Sequence, residues 1–167
     1  MSEIKTEKQL YLEPDPDGDV VLRYSTLEPD TSVSFRVSSK VLRLASAVFE
    51  RMLSPSFREG QTLLQHNHVV IELKDDDPSL MELTMNILHY QAESGEHTVD
   101  AEKLARFATL CDKYDCTRAL SPWATTWFTK LEERKPSRPQ YGFQLLAAYL
   151  FNDTSHFLKI SKAAVSE

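Results

Sequence analysis

Glycine and cysteine are scarce in this chain, and acidic residues outnumber basic ones. There are four glycines among 167 residues, and none has the spacing of a phosphate-binding loop, which excludes the glycine-dependent nucleotide motifs. The net charge of −6 argues against a nucleic-acid partner, because phosphate binding depends on clustered lysine and arginine. No apolar run approaches the roughly 18 residues of a membrane span, and the first residues do not have the pattern of a signal peptide. We therefore expect neither nucleic-acid nor membrane partners.

The two cysteines, Cys111 and Cys116, lie five residues apart in one predicted helix. Side chains five residues apart on a helix point in different directions, so a disulfide between them is not expected. This cysteine usage is typical of a reduced protein, and it indicates the cytoplasm or the nucleus.

Alternating apolar residues predict three short strands. Their residues on one face are Val20, Leu22 and Tyr24 in the first, Val33, Phe35 and Val37 in the second, and Val69, Ile71 and Leu73 in the third. Residues 28–30 would connect the first two strands as a hairpin. The polar residues 1–17 are predicted to be a mobile N-terminal arm, with a short extended piece at 10–12.

The hydrophobic period becomes helical from Ser38 onward. Ser38 or Ser39 would cap a first short helix, and Ser46 would cap a second. Asp77 would cap a central helix, since Pro78 is harmless at the first helical position. Later helices are predicted to begin near Asp100, Ser121, Tyr141 and Phe157.

The order of these elements predicts an α+β fold. A composition of 41% hydrophobic and 26% charged residues is ordinary for a globular domain. The charged segment 132–139 contains two prolines and is predicted to be a linker. We therefore expect a mobile arm over 1–17, a domain over 18–131, the linker over 132–139 and a C-terminal helical extension over 140–167.

We find no pattern typical of a catalytic, cofactor or metal site. His66 and His68 lie in a predicted polar loop, and the two cysteines would not face the same way, so no zinc site is expected. The acidic residues 75–77 lack the alternating ligands and glycine of a calcium loop, and a helix N-terminus explains them better. Cys111 lies on an apolar stripe, where a thiol tends to be inert.

The ordered set of segments resembles the BTB/POZ family, in the form common in filamentous fungi. The resemblance is carried by residues 19–22 (first strand), 35–49 (second strand and first helix pair), 72–73 and 77–78 (third strand and next helix), 112–114, and the pair Trp123 and Trp127. It covers roughly residues 18–130, and the order of the segments decides it rather than any single motif. It implies a short three-stranded sheet flanked by helices, with extra C-terminal helices, in a dimerising interaction module without catalytic activity.

The resemblance also implies two protein-binding surfaces. The first two helices carry more apolar residues than one core needs, and a two-fold interface would use the same patch on both subunits. The predicted dimer residues are Val41, Leu44 and Val48. Family members that act as cullin ubiquitin-ligase adaptors carry a hydrophobic-X-Glu element after the second helix. The corresponding partner-binding residues here are Met52, Leu53, Phe57, Arg58 and Glu59.

The chain departs from the family pattern at the start of the first helix. Many members carry His-Lys there, whereas this chain has Ser38 and Ser39. In transcription-factor members the basic residue pairs with the first-strand acid, so Asp19 is predicted to lack that partner. The first hypothesis is therefore an interaction module that serves as a cullin adaptor, and the second is a transcription-associated scaffold that does not bind cullin. The third is a thiol enzyme centred on Cys111, which the lack of a catalytic pattern disfavours.

Overall fold

The computed structural model describes residues 8–25, 31–93, 99–133 and 136–166, and its architecture is α+β. The chain divides into two compact units, Met1–Ala92 and Glu93–Glu167. The first unit contains β1 (Lys8–Leu12), β2 (Val20–Ser25), β3 (Thr31–Val37), α1 (Ser39–Ala45), α2 (Ala47–Met52), α3 (Arg58–His66), β4 (Val69–Leu73) and α4 (Pro78–Leu88). The second contains α5 (Ala101–Lys113), α6 (Thr117–Glu132), α7 (Arg138–Leu150) and α8 (Thr154–Val165).

The sheet of the first unit has the strand order β1-β3-β2-β4. Strands β2 and β3 are antiparallel, whereas β1 runs parallel to β3 and β4 runs parallel to β2. The register places Leu22 opposite Phe35 on one side and Ile71 on the other. These three side chains are buried and form the centre of the core. The three predicted strands are thus present, while the hairpin connection at 28–30 lies outside the described residues.

The prediction of a three-stranded sheet is wrong by one strand. Lys8–Leu12 pairs with β3, with Leu10 opposite Val33 and Leu12 opposite Phe35. This strand includes the extended piece expected at 10–12 and lies inside the segment expected to be a mobile arm. Alternation over so few residues is a weak signal, and the ladder with β3, rather than the local pattern, defines the strand.

Helices α1 and α2 cover one side of the core with Leu42 and Phe49, which are both buried. The predicted break between two short helices is confirmed, and the Ser46 side chain accepts a hydrogen bond from the Phe49 N–H at 3.0 Å. The predicted cap of α4 is also confirmed, since the Asp77 carboxylate accepts from the Ser79 N–H at 2.9 Å.

The second unit packs around aromatic side chains. The buried Trp127 ring of α6 meets Phe107 of α5 edge-on, with ring centres 5.1 Å apart. Phe107 also stacks on Phe151 at 6.1 Å. Asp100 caps α5 as predicted, since its carboxylate accepts from the Lys103 N–H at 2.7 Å. None of the helices in the described ranges has the length and apolarity needed to cross a bilayer.

Two predictions for the α5–α6 region are wrong. Helix α6 begins at Thr117 rather than at Ser121, and Pro122 lies inside it. Proline so near the N-terminus removes one backbone bond, and the burial of Leu120 on the same helix outweighs that loss. Cys111 and Cys116 do not share a helix, because α5 ends at Lys113 and Cys116 follows the reversal of the chain.

Candidate protein-interaction site

The turn between α2 and α3 positions the residues predicted to bind a partner. Backbone bonds close the turn, from the Leu53 N–H to the Phe49 carbonyl at 2.9 Å and from the Phe57 N–H to the Ser54 carbonyl at 3.1 Å. Phe57 occupies the N-cap position of α3 with an extended backbone. Its side chain therefore projects from a fixed position just before the helix begins.

Gly60 allows α3 to approach this turn closely. A Cβ atom at Gly60 would lie 2.0 Å from the Ser54 carbonyl oxygen, which is far inside van der Waals contact. The Gln61 side-chain amide adds a bond to the Pro55 carbonyl at 3.2 Å. The first turn of α3 is thus held against the α2–α3 turn, so the Phe57 side chain is presented by a rigid backbone.

The five predicted partner-binding residues differ in exposure. Phe57 is 45% exposed, Arg58 is exposed, and Met52 and Glu59 are half-buried. Leu53 is 3% exposed and contributes to the core. The surface that a partner can contact is therefore formed mainly by Phe57, Arg58 and part of Glu59. Glu59 lies in the first turn of α3, where the helix dipole favours a negative charge.

The three predicted dimer residues lie on α1 and α2. Leu44 is 89% exposed, whereas Val41 and Val48 are half-buried. Helix α1 packs on the core through Leu42, whereas Leu44 exposes nearly all of its side chain. Leu44 is therefore available to a second protein surface.

A cleft of about 380 Å³ opens beside this region. It is lined by Asp19, Arg43, Leu53, Pro55, Gly60, Leu63, Leu64 and Asn67. Leu64 is 71% exposed, so the cleft continues onto an apolar surface of α3. The cleft combines apolar walls with one acidic side chain, Asp19, and one basic side chain, Arg43.

Asp19 bonds to Ser39, which stands where the family pattern has a basic residue. Its carboxylate accepts a bond from the Ser39 backbone N–H at 2.7 Å and another from the Ser39 hydroxyl at 2.6 Å. The predicted cap by Ser38 or Ser39 is wrong, since neither side chain accepts a bond from an early N–H of α1. The acceptor for the Ser39 N–H is instead the carboxylate of Asp19. The sequence of the helix itself could not identify this residue, because it lies twenty positions earlier in the chain.

His89, at the end of α4, holds the same helix start. The Ser38 N–H donates to its Nε2 at 3.0 Å, and its Nδ1 lies 2.8 Å from the Met85 carbonyl. Because a carbonyl only accepts, these partners assign the proton to Nδ1 and the lone pair to Nε2. Burial lowers the pKa of His89 below its ordinary value, although the bond to Met85 and the charge of Asp15 act in the opposite direction. The neutral imidazole is thus the form that holds α1.

The two histidines weighed as metal ligands lie on the surface. His66 ends α3 and His68 follows the left-handed Asn67, with both histidines exposed. No group of three or more metal-binding side chains occurs within residues 8–25, 31–93, 99–133 and 136–166. In the acidic run, Asp77 serves as the cap of α4.

Sequence reasoning missed two parts of this site. Helix α3 was absent from the prediction because its nine residues contain only two apolar side chains other than glycine, Leu63 and Leu64, which give little periodicity. The role of His89 had no sequence signal, since it depends on a bond to Ser38 fifty-one residues earlier.

A comparison of the chain with protein-family models finds no match, and a comparison with curated proteins finds none either.

Proposed function

We propose that the chain is a non-catalytic protein-interaction module of BTB/POZ type that forms a homodimer and acts as a scaffold or adaptor, with a cullin ubiquitin-ligase subunit as one partner. The cytoplasm or the nucleus would be its location. The observation that carries the proposal is the path of the chain through the first unit. The antiparallel strands β2 and β3 are followed by the α1–α2 pair, and β4 later pairs in parallel with β2. This chain order of strands and helices supports the proposal.

The α2–α3 turn supports the adaptor function. An adaptor needs an apolar anchor and an acceptor that are presented from a fixed backbone. Phe57 is exposed at the N-cap of α3, and Glu59 lies two residues later. Gly60 allows the helix to pack closely against the turn. Exposed aromatic side chains of this kind often dominate the energy of a protein interface.

A transcription-associated scaffold that does not bind cullin is the second candidate. The Asp19–Ser39 pair is relevant to this second candidate, because the acid before β2 bonds to a serine rather than to a basic residue. A corepressor groove built on that acid–base pair is therefore not proposed. A thiol enzyme is disfavoured, since Cys111 is fully buried and burial raises the pKa of its thiol.

Light scattering tests the dimer. We expect a dimer mass at tens of micromolar protein. Leu44→Asp should shift it to the monomer mass, because each subunit would have to bury a charge in the two-fold interface. Leu64→Asp is the matched control, since Leu64 is also an exposed helical leucine but lies on α3. A monomer mass for the unmodified protein contradicts the dimer.

Calorimetry against a cullin N-terminal region tests the adaptor. Phe57→Ala should weaken binding about thirtyfold, which corresponds to roughly 2 kcal/mol for an anchoring aromatic. Glu59→Ala should weaken it less. Leu146→Ala is the matched control, because Leu146 is 44% exposed in the second unit and Phe57 is 45% exposed in the first. No binding by the unmodified protein ends the cullin proposal and leaves the scaffold proposal standing.

A further inference from the structure

Cys111 and Cys116 meet at the turn that ends α5. Asp115 has a left-handed backbone with φ of 48°. The Cys116 N–H donates to the Cys111 carbonyl at 2.9 Å, and the Asp115 N–H donates to the Asp112 carbonyl at 3.0 Å. These two bonds define a Schellman ending, in which the chain reverses and two side chains five residues apart come into contact. In this chain both of those side chains are cysteines.

The Cys116 side chain bonds to the backbone of Cys111. The Cys116 thiol lies 3.6 Å from the Cys111 carbonyl oxygen and donates to it. Both cysteines are free, and their exposed fractions are 0% for Cys111 and 2% for Cys116. Burial raises the pKa of Cys111 well above its ordinary value, and a hydrogen bond with the Cys116 thiol raises it further. The Cys111 side chain therefore rests as a protonated thiol.

The turn brings the two cysteines next to each other at the end of α5. Two cysteines on one straight helix at this spacing would diverge, whereas the left-handed Asp115 brings these two together. Closing the bond would need no unwinding of α5, because the helix has ended before Cys116. The new bond would join the end of α5 to the residue that precedes α6.

We propose that Cys111 and Cys116 form a redox-active dithiol that closes to an intramolecular disulfide with hydrogen peroxide as the oxidant. A local opening of the turn brings the pair into water, where one thiol can ionise. That thiolate attacks a peroxide oxygen, and the O–O bond breaks to give a sulfenic acid and, with a proton, water. The second thiol attacks the sulfenic sulfur, the S–S bond forms, and a second water leaves. Two thiols and one peroxide thus give one disulfide and two waters, with two electrons passing from sulfur to oxygen.

Peroxide suits this site because it is close to water in size. The pair itself is buried, but Lys113 and Asp115 of the same turn are exposed, so a local opening of the turn admits a small oxidant. In a reducing compartment such a disulfide is transient and is characteristic of redox sensing. The inference rests on the second unit alone and does not depend on the proposed interaction function.

Intact mass and a tryptic map of the folded protein after peroxide treatment test the proposal. We expect the loss of two hydrogen atoms from the whole chain and the loss of both free thiols, reversed by dithiothreitol. Trypsin cleaves after Arg106, Lys113 and Arg118, so the disulfide appears as a linked pair of peptides, 107–113 and 114–118. Circular dichroism checks that the protein stays folded during the reaction.

Cys111→Ala and Cys116→Ala serve as controls, because neither can lose two hydrogen atoms in this way. Three outcomes would overturn the proposal. The thiols of the folded protein could stay free at a peroxide concentration that oxidises the synthetic peptide 107–118. The linked peptide pair could form only in urea, or the disulfide could join two different molecules. The experiment on the unmodified protein decides the question even if one of the alanine variants fails to fold.

Discussion

Replacing Asp19 by alanine should destabilise the protein through the start of α1. The substitution removes the acceptor of the Ser39 N–H and of the Ser39 hydroxyl. Loss of a helix cap costs about 1 kcal/mol, and a hydrogen bond to a charged group contributes about 1.5–3 kcal/mol. Because Asp19 is half-exposed, we take the lower part of that range and expect a loss of about 2 kcal/mol in total.

Urea unfolding followed by circular dichroism measures this loss. With a slope of roughly 1–3 kcal/mol per molar urea, the midpoint should fall by about 1 M. Asp17→Ala is the matched control, because Asp17 is an exposed acid in the same segment, and it should change the free energy of unfolding by less than about 0.5 kcal/mol. Equal midpoints for the two variants would refute the role of Asp19.

A double-mutant cycle then isolates the bond between the two side chains. Ser39→Ala removes the hydroxyl but keeps the backbone N–H, so it should cost less than Asp19→Ala. The free energy of unfolding lost in the double variant should be about 1 kcal/mol smaller than the sum of the losses in the two single variants. The reason is that each single variant already lacks the hydroxyl–carboxylate bond. Additivity within experimental error would mean that this bond contributes nothing.

Three further changes should have measurable effects. Trp127→Ala should cost about 3–5 kcal/mol in thermal unfolding, because the ring is buried against Phe107, and a loss of less than 1 kcal/mol would contradict that packing. The pKa of His89 is lowered in the folded protein. Its contribution to stability is therefore full above about pH 6.5 and is lost as the pH falls towards the folded pKa. If urea unfolding of a His89→Gln variant showed the same pH dependence as the unmodified protein, this expectation would be contradicted. Gly60→Ala should lower the melting temperature, because the added Cβ would collide with the Ser54 carbonyl. Gly142→Ala should raise it, because a Cβ there meets nothing within 4 Å. Melting temperatures that shift in the same direction for both variants would contradict the close approach at Gly60.

The elements with strong local signals were predictable. The alternation of Val20, Leu22 and Tyr24 defines β2, and the serine and aspartate caps at Ser46 and Asp77 mark real helix starts. In these places the local chemistry and the tertiary environment favour the same structure.

The features that depend on distant contacts were not predictable. Strand β1 is defined by its ladder with β3, and the start of α1 is held by Asp19 and His89, which are remote in sequence. From the sequence, Pro122 predicts a helix start, because proline is common in the first turn. In the structure α6 begins earlier, at Thr117, and the buried Leu120 lies in that added turn. Where the candidate site depends on α3, its short and mostly polar sequence gave no periodic signal.

One carboxylate serves two regions of the first unit. Asp19 holds the first turn of α1 through Ser39 and also lines the cleft beside α3. A ligand in that cleft that draws the carboxylate towards itself must compete with Ser39, so its binding energy is reduced by the weakening of α1. By thermodynamic reciprocity, a second protein that stabilised α1 through Leu44 would lower the affinity of the cleft for such a ligand. Binding at the two surfaces would then be negatively coupled through a single side chain, and the affinity of each surface would depend on the occupancy of the other.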